Sequence, residues 1–152
     1  MRKSFGLVAF LVLALVLGAG LGVTQWQQAQ AKETFMVIEH ATSDTAVDLG
    51  DKGDSIGDTL TFANDLYDDQ DANVVGSSSG TCWRTKPGKT WECTWTNTLE
   101  DGSIVVQGPF YDDGDSTLAI TGGTGSYNGA TGEMTLHARE GGTEYEFTFT
   151  LN

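Results

Sequence analysis

The sequence predicts an all-β domain, an eight-stranded antiparallel β-barrel preceded by a signal peptide. Three observations predict it. Beyond residue 31, apolar side chains recur at every second position between clusters of Gly, Asp and Asn, and no stretch keeps a 3.6-residue period. The alternating runs are short, evenly spaced and eight in number, a count at which a closed sheet has no free edge and its interior holds one small ligand. The 152 residues include 20 Gly and only 2 Pro, with 10% aromatic and 19% charged residues. That composition fits one globular domain and excludes a collagen, a coiled coil or a two-domain enzyme. A two-sheet sandwich is the alternative for the same strands.

Arg2 and Lys3 precede an apolar run over residues 5–23, and the polar stretch after it ends in Ala29-Gln30-Ala31. This is the pattern of a secretory signal peptide cleaved before Lys32, so residues 1–31 are read as the leader and 32–152 as the exported domain. An uncleaved membrane anchor is the alternative, because the apolar run approaches the ~20 residues that span a bilayer. No Cys directly follows the run to accept a lipid. Eight Lys and Arg against 21 Asp and Glu give a net charge of −13, and losing Arg2 and Lys3 makes the domain more acidic still. Such a field repels phosphate backbones and argues against nucleic acid as a partner.

Strands are expected at 34–41, 58–64, 74–84, 90–98, 102–110, 116–121, 131–140 and 143–151. On the first, Phe35 and Val37 lead to Glu39 on one face, while Met36 and Ile38 lead to His40 on the other. Whichever face is inward, a titratable group ends an apolar row. An unpaired inward carboxylate has a raised pKa and is placed to steady positive charge developing in a bound substrate. Residues 42–57 are polar and rich in Gly and Asp, and read as a long crossing loop. On the second strand Asn64 shares parity with Leu60 and Phe62, which points it inward. A buried amide must find partners, either backbone at a strand end or a ligand or water.

The third and fourth strands form a hairpin symmetric about Pro87-Gly88. Pairing 86 with 89 sets Cys82 directly opposite Cys93, and in an oxidising compartment a cross-strand disulfide is expected there. Two free buried thiols are the alternative. The same register lays Arg84 over Trp91. L-Pro-Gly suits a two-residue hairpin turn poorly, so a longer tip with the register kept is also compatible. Asp68-Asp69, Glu100-Asp101-Gly102, Asp112-Asp113-Gly114 and Gly141-Gly142 mark turns. The last strand alternates most clearly, with Tyr145, Phe147, Phe149 and Leu151 on one face and Glu144, Glu146, Thr148 and Thr150 on the other.

Gly76-Ser77-Ser78-Ser79-Gly80 has the letters of a serine nucleophile elbow, but that chemistry needs a strand-to-helix turn, and here a strand continues into Cys82. The run Gly122-Gly123-Thr124-Gly125 has neither dinucleotide nor P-loop spacing and reads as a tight strand connection. Asp69-x-Asp71-x-Asn73 starts like a calcium loop but lacks its Gly and its closing Glu, which leaves solvated turn carboxylates. His40 and His137 are the only histidines, so with the cysteines bonded to each other no metal cluster is expected. His137 falls on the outward face with Glu133, Thr135 and Arg139.

Several motifs in chain order resemble the allene oxide cyclase family. They are Gly57-Asp58-Thr59-Leu60-Thr61-Phe62-Ala63-Asn64-Asp65-Leu66-Tyr67, then Val75-Gly76 and Gly80-Thr81-Cys82, then Val106-Gln107-Gly108-Pro109-Phe110, then Leu118-Ala119-Ile120-Thr121-Gly122-Gly123-Thr124-Gly125 with Gly129-Ala130 and Gly132. Dirigent proteins are similar in barrel and in the Thr-Gly-Gly-Thr-Gly run. The resemblance implies a cofactor-free barrel, commonly homotrimeric, whose apolar cavity folds an unstable epoxy fatty acid for closure of a cyclopentenone ring. It implies that Glu39 stabilises a delocalised cation, that Asn64 helps hold a water at the epoxide oxygen, and that Cys82 lines the cavity with Leu60 and Phe62. Phe110 stands where the family carries a cavity Tyr, and Ala41 stands where it carries an Asn two residues after the glutamate. The family's Ser-Pro pair is not evident in 42–57.

Three functions follow as expectations. The first is a barrel that binds an apolar or aromatic small molecule and steers its cyclisation or isomerisation. The second is a dirigent-type protein that orients radicals supplied by a separate oxidase. The third is a non-catalytic ligand-binding barrel, which Phe110 and Ala41 favour.

Overall fold

The computed structural model describes residues 33–152; the expected leader, its cleavage before Lys32 and the anchor alternative lie outside the described residues. Nine strands follow one another: β1 (Glu33–His40), β2 (Thr45–Val47), β3 (Thr59–Tyr67), β4 (Val74–Lys86), β5 (Thr90–Leu99), β6 (Gly102–Tyr111), β7 (Ser116–Gly125), β8 (Gly132–Arg139) and β9 (Glu144–Leu151). Each strand from β3 to β8 pairs antiparallel with the next. β1 pairs with both β9 and β3, which closes eight strands into a barrel and excludes the sandwich.

β2 corrects the expectation of an unbroken loop over 42–57. His40 pairs with Asp65 and Thr45 with Thr61, so five steps along β1–β2 match four along β3. β1 and β2 therefore lie on β3 as one strand interrupted by a bulge of one extra residue at 41–44. Other strands outrun their expected ends, β3 and β7 by the most. β3 continues to Tyr67, and β7 carries Gly122–Gly125 as ladder rather than as a connection. There Gly122 and Gly123 pair with Val105 and Ile104 beside a register shift that leaves Thr121 of β7 as an extra residue. At Gly123 a Cβ would strike the carbonyl oxygens of Ser103 and Tyr127, so the strand passes only because glycine has none.

Inward alternation builds the core as expected on β9, where Phe147 and Phe149 are buried. Leu66, Ile104, Val106, Leu118 and Met134 complete a fully buried floor from four further strands. β4 supplies the complement with small inward residues. A Cβ on Gly80 would collide with Trp95, and one on Gly76 with the Thr98 carbonyl, so the Gly-Ser-Ser-Ser-Gly letters encode room for large neighbours. Ser78 lies within this strand, with no elbow around it.

The hairpin register is confirmed at Cys82↔Cys93 and Arg84↔Trp91. The disulfide is formed across a Cα–Cα distance of 4.0 Å, and there is no free cysteine among the described residues. The Arg84 guanidinium carbon sits 3.9 Å from the Trp91 ring centroid. Nearer the tip the register shifts, so that Lys86 pairs with Thr90 and not with residue 89; Pro87-Gly88 forms the longer tip, with Gly88 at φ 63°. Because the bond closes a loop of sequence separation 11, removing it frees the unfolded chain by about 3 kcal/mol. Urea unfolding of a Cys82→Ala/Cys93→Ala variant is expected to lose that much stability and keep the fold. An unchanged midpoint refutes the prediction.

Candidate functional site

The inward residues at one part of the lumen do not meet, and they leave a cavity of about 70 Å³. Five expected residues line it: Glu39, Leu60, Phe62, Cys82 and Phe110, with Cys93 beside Cys82. The wall there is thus a disulfide and offers no thiol. Leu60, Phe62, Phe110 and Tyr145 are only half-buried and lead from the cavity to the surface. Trp95 and Phe147 form its base, their ring centroids 5.7 Å apart, and Phe62 meets Trp95 edge-on at 5.8 Å.

Of the two titratable groups that end β1, Glu39 goes in and His40 goes out. The pairing of Glu39 with Tyr145 on β9 and Leu66 on β3 fixes this choice. Glu39 is 5% exposed and its Oε1 has no hydrogen-bond partner. Burial pushes its pKa from 4.5 up to about 7; nearby Ser78 and Asn64 oppose the rise without completing a well-aligned bond to Oε1, and the Asp44 charge adds to it. Behind Glu39 the fully buried Ser78 Oγ and both side-chain polar atoms of Asn97 are also unpartnered. Ser78 stands opposite both Asn64 and Asn97 in the ladder, so one polar row crosses three strands.

Asn64 is 2% exposed and inward, but it does not line the cavity. Its Oδ1 accepts the Thr42 N–H at 3.1 Å, the Ser43 N–H at 3.0 Å and the Ser43 hydroxyl at 3.0 Å, while Nδ2 donates to Asp44 Oδ1 at 2.9 Å. The side chain fills the 41–44 bulge, so of the two partners open to a buried amide it takes backbone. Through Asp44 it nonetheless shapes the cavity, whose wall includes that carboxylate. Asp44, Tyr145, Trp95, Phe147 and Leu136 also line the cavity. Inward parity marked Tyr145 and Phe147 in the sequence, and Trp95 shares parity with Cys93; nothing marked Asp44. The Tyr145 phenol is held above its usual pKa by burial and then by Asp44 and Glu39.

On the outer wall His40 stacks on Tyr67 at 4.0 Å and bonds Asp71 at 2.7 Å. Asp69 stays exposed as expected, whereas Asp71 is taken by His40, and Asp68 accepts from Ala72 N–H and Asn73 Nδ2 within the 68–73 turn. His40, Asp71 and Glu144 converge within 4.8 Å, but His40 Nε2 is bonded to Asp71 with Glu144 at 3.9 Å, Arg139 approaches Glu144 at 3.9 Å, and none lines the cavity. His137 is exposed as expected and pairs with Asp115.

Known proteins place this arrangement. The family described as Allene oxide cyclase matches residues 27–152. A solved structure titled pyocyanin demethylase is 27% identical, with a TM-score of 0.70 over 79% of this chain and 100% of that one. The pterocarpan synthase dirigent protein PsPTS1 is 14% identical, with a TM-score of 0.64 over 80% of this chain and 95% of its own. AbnU, an exo-specific intermolecular Diels-Alderase, is 18% identical, with a TM-score of 0.64 over 80% and 98%. With the closed barrel, the inward glutamate and a family match over nearly the whole described region, the chain belongs to the allene oxide cyclase family.

Proposed function

We propose that the barrel binds an apolar or aromatic small molecule in this cavity and steers its cyclisation or isomerisation without a cofactor. One observation carries the reading: a buried carboxylate, Glu39, whose Oε1 has no hydrogen-bond partner, lies in the wall of an otherwise largely apolar, aromatic cavity. Burying a carboxylate with an unsatisfied oxygen costs stability, and function is the usual reason for keeping one there. Rings on several sides restrict the conformations of a guest, and such restriction supplies several kcal/mol of a barrier by itself. Glu39 adds a fixed negative charge where positive charge develops, in a medium that screens it little. With a pKa near 7 it is also poised to exchange a proton near neutrality. Asn64 serves as a positioning residue that holds the Asp44 side of the wall. The 27% identity to pyocyanin demethylase supports an aromatic guest, and the disulfide supports an exported, oxidising location.

At about 70 Å³ the cavity encloses part of a ligand, since drug-sized guests fill roughly 300–1,000 Å³. The remainder emerges between the half-buried rim residues. Toluene titrated against the Trp95 indole resonance is expected to bind saturably to the native protein and not to a Leu60→Trp variant, in which the cavity is filled. Absence of binding to the native protein overturns the reading. A non-catalytic binder is the second reading, favoured by Phe110, which brings no hydroxyl, and by the disulfide-bonded Cys82. Chiral product analysis with and without an added oxidase separates turnover, radical orientation and mere binding.

A further inference from the structure

The cavity has an uneven charge balance. Two carboxylates, Glu39 and Asp44, face it, five aromatic rings surround it, and no Lys or Arg lines it. The Arg84 guanidinium lies over Trp91 and is ion-paired to Asp54 at 2.6 Å and Asp112 at 2.7 Å, so it is spent elsewhere. Asp44 has Oδ1 engaged by Asn64, and the Oε1 of Glu39 has nothing. Glu39 is buried and poorly screened, while Asp44 stands on the exposed rim of the cavity; the two like charges repel each other, and a cation between them relieves that repulsion. Ring faces add attraction of the same sign, because their quadrupoles are negative above and below the plane.

We propose that the cavity takes a cationic aromatic ligand, with its charged group toward Glu39 and Asp44 and its ring among Phe62, Trp95 and Phe147. The proposal rests on the cavity being the ligand site and adds the ligand's charge. It differs from stabilising charge that develops during reaction, because here the charge is resident when the ligand binds. Cation and carboxylates attract before any bond changes, so the effect is read in affinity without turnover.

The test compares two probes of one shape, N-methylpyridinium and toluene, titrated by NMR at pH 8.5 against the full domain. N-methylpyridinium is expected to bind at least about tenfold more tightly, a difference of about 1.4 kcal/mol. A Glu39→Gln/Asp44→Asn variant is expected to bring the ratio near one while still binding toluene. Glu39→Gln alone is expected to give an intermediate ratio, which keeps the test valid if the double variant fails to fold. Equal or tighter toluene binding by the native protein overturns the cation and leaves the ligand site standing. A preference for N-methylpyridinium that survives both variants also overturns it. Binding of neither probe overturns the site as well.

Discussion

Glu39→Gln is expected to stabilise the barrel at pH 8 by up to about 3 kcal/mol and to lower ligand conversion roughly 100-fold. The stability sign follows from linkage. In the folded chain Glu39 titrates near 7, against 4.5 for an unburied glutamate. Between those values the folded protein holds a proton that the unfolded chain has released, so stability falls as pH rises through the window and levels off above pH 7. A shift of that size, at about 1.4 kcal/mol per pH unit, gives the stated figure. Below pH 4.5 the carboxyl is neutral in both states and resembles the glutamine amide. Urea unfolding curves of the two proteins should therefore converge at pH 4 and separate steadily toward pH 8. Asp58 and Asp68 are held below their usual pKa by backbone and side-chain donors; they weaken the fold at lower pH, equally in both proteins, and cancel in the difference. A variant less stable than the native protein at pH 8 would mean that Glu39 has a stabilising partner. Gain of stability with loss of conversion is the signature of a residue kept for its chemistry.

How far the sequence disclosed this site depended on whether each feature is local. The alternation on β9 and the symmetric cysteine hairpin are short-range patterns, and both were legible before any tertiary contact was known. Glu39 and His40 were equivalent, because parity within one strand does not say which face is inward; only pairing with Tyr145 and Leu66 decides it. β2 has three exposed residues in a Gly/Asp-rich stretch, and its strand character comes wholly from lying on β3. The glycines of β7 signalled a turn by composition, whereas a bulge at Thr121 within β7 and a returning Tyr127 turn are what demand them. Asp44 left no trace in the sequence, since its place in the wall follows from a bulge whose existence depends on the register of two other strands. The cavity itself is a difference between packed volumes and has no local signature.

Asn64→Ala tests the other half of the arrangement and is expected to act with the opposite sign, costing about 3 kcal/mol. Three donors of the bulge converge on Asn64 Oδ1, and its Nδ2 holds Asp44. Alanine leaves the Thr42 and Ser43 N–H groups without their acceptor, and removes the tie that fixes a carboxylate in the cavity wall. Hydrogen exchange should accelerate at residues 42–45 first, while amides of β5 and β6 keep their protection, because the bulge is bonded to β3 and, through the Ala41 N–H, to the Thr143 carbonyl beside β9. Ligand affinity should weaken secondarily as Asp44 is released. Asn64→Asp separates the contributions: it keeps the accepting oxygen but sets a second carboxyl against Asp44, so it should approach native stability at pH 4 and fall below it at pH 8. An alanine variant with native stability and lost conversion would instead place Asn64 directly on the reacting molecule, as the family resemblance implies. The expected pair of results, Glu39→Gln more stable and Asn64→Ala less stable, would mean that the barrel bears the strain of its buried acid and uses the neighbouring amide to hold the wall around it.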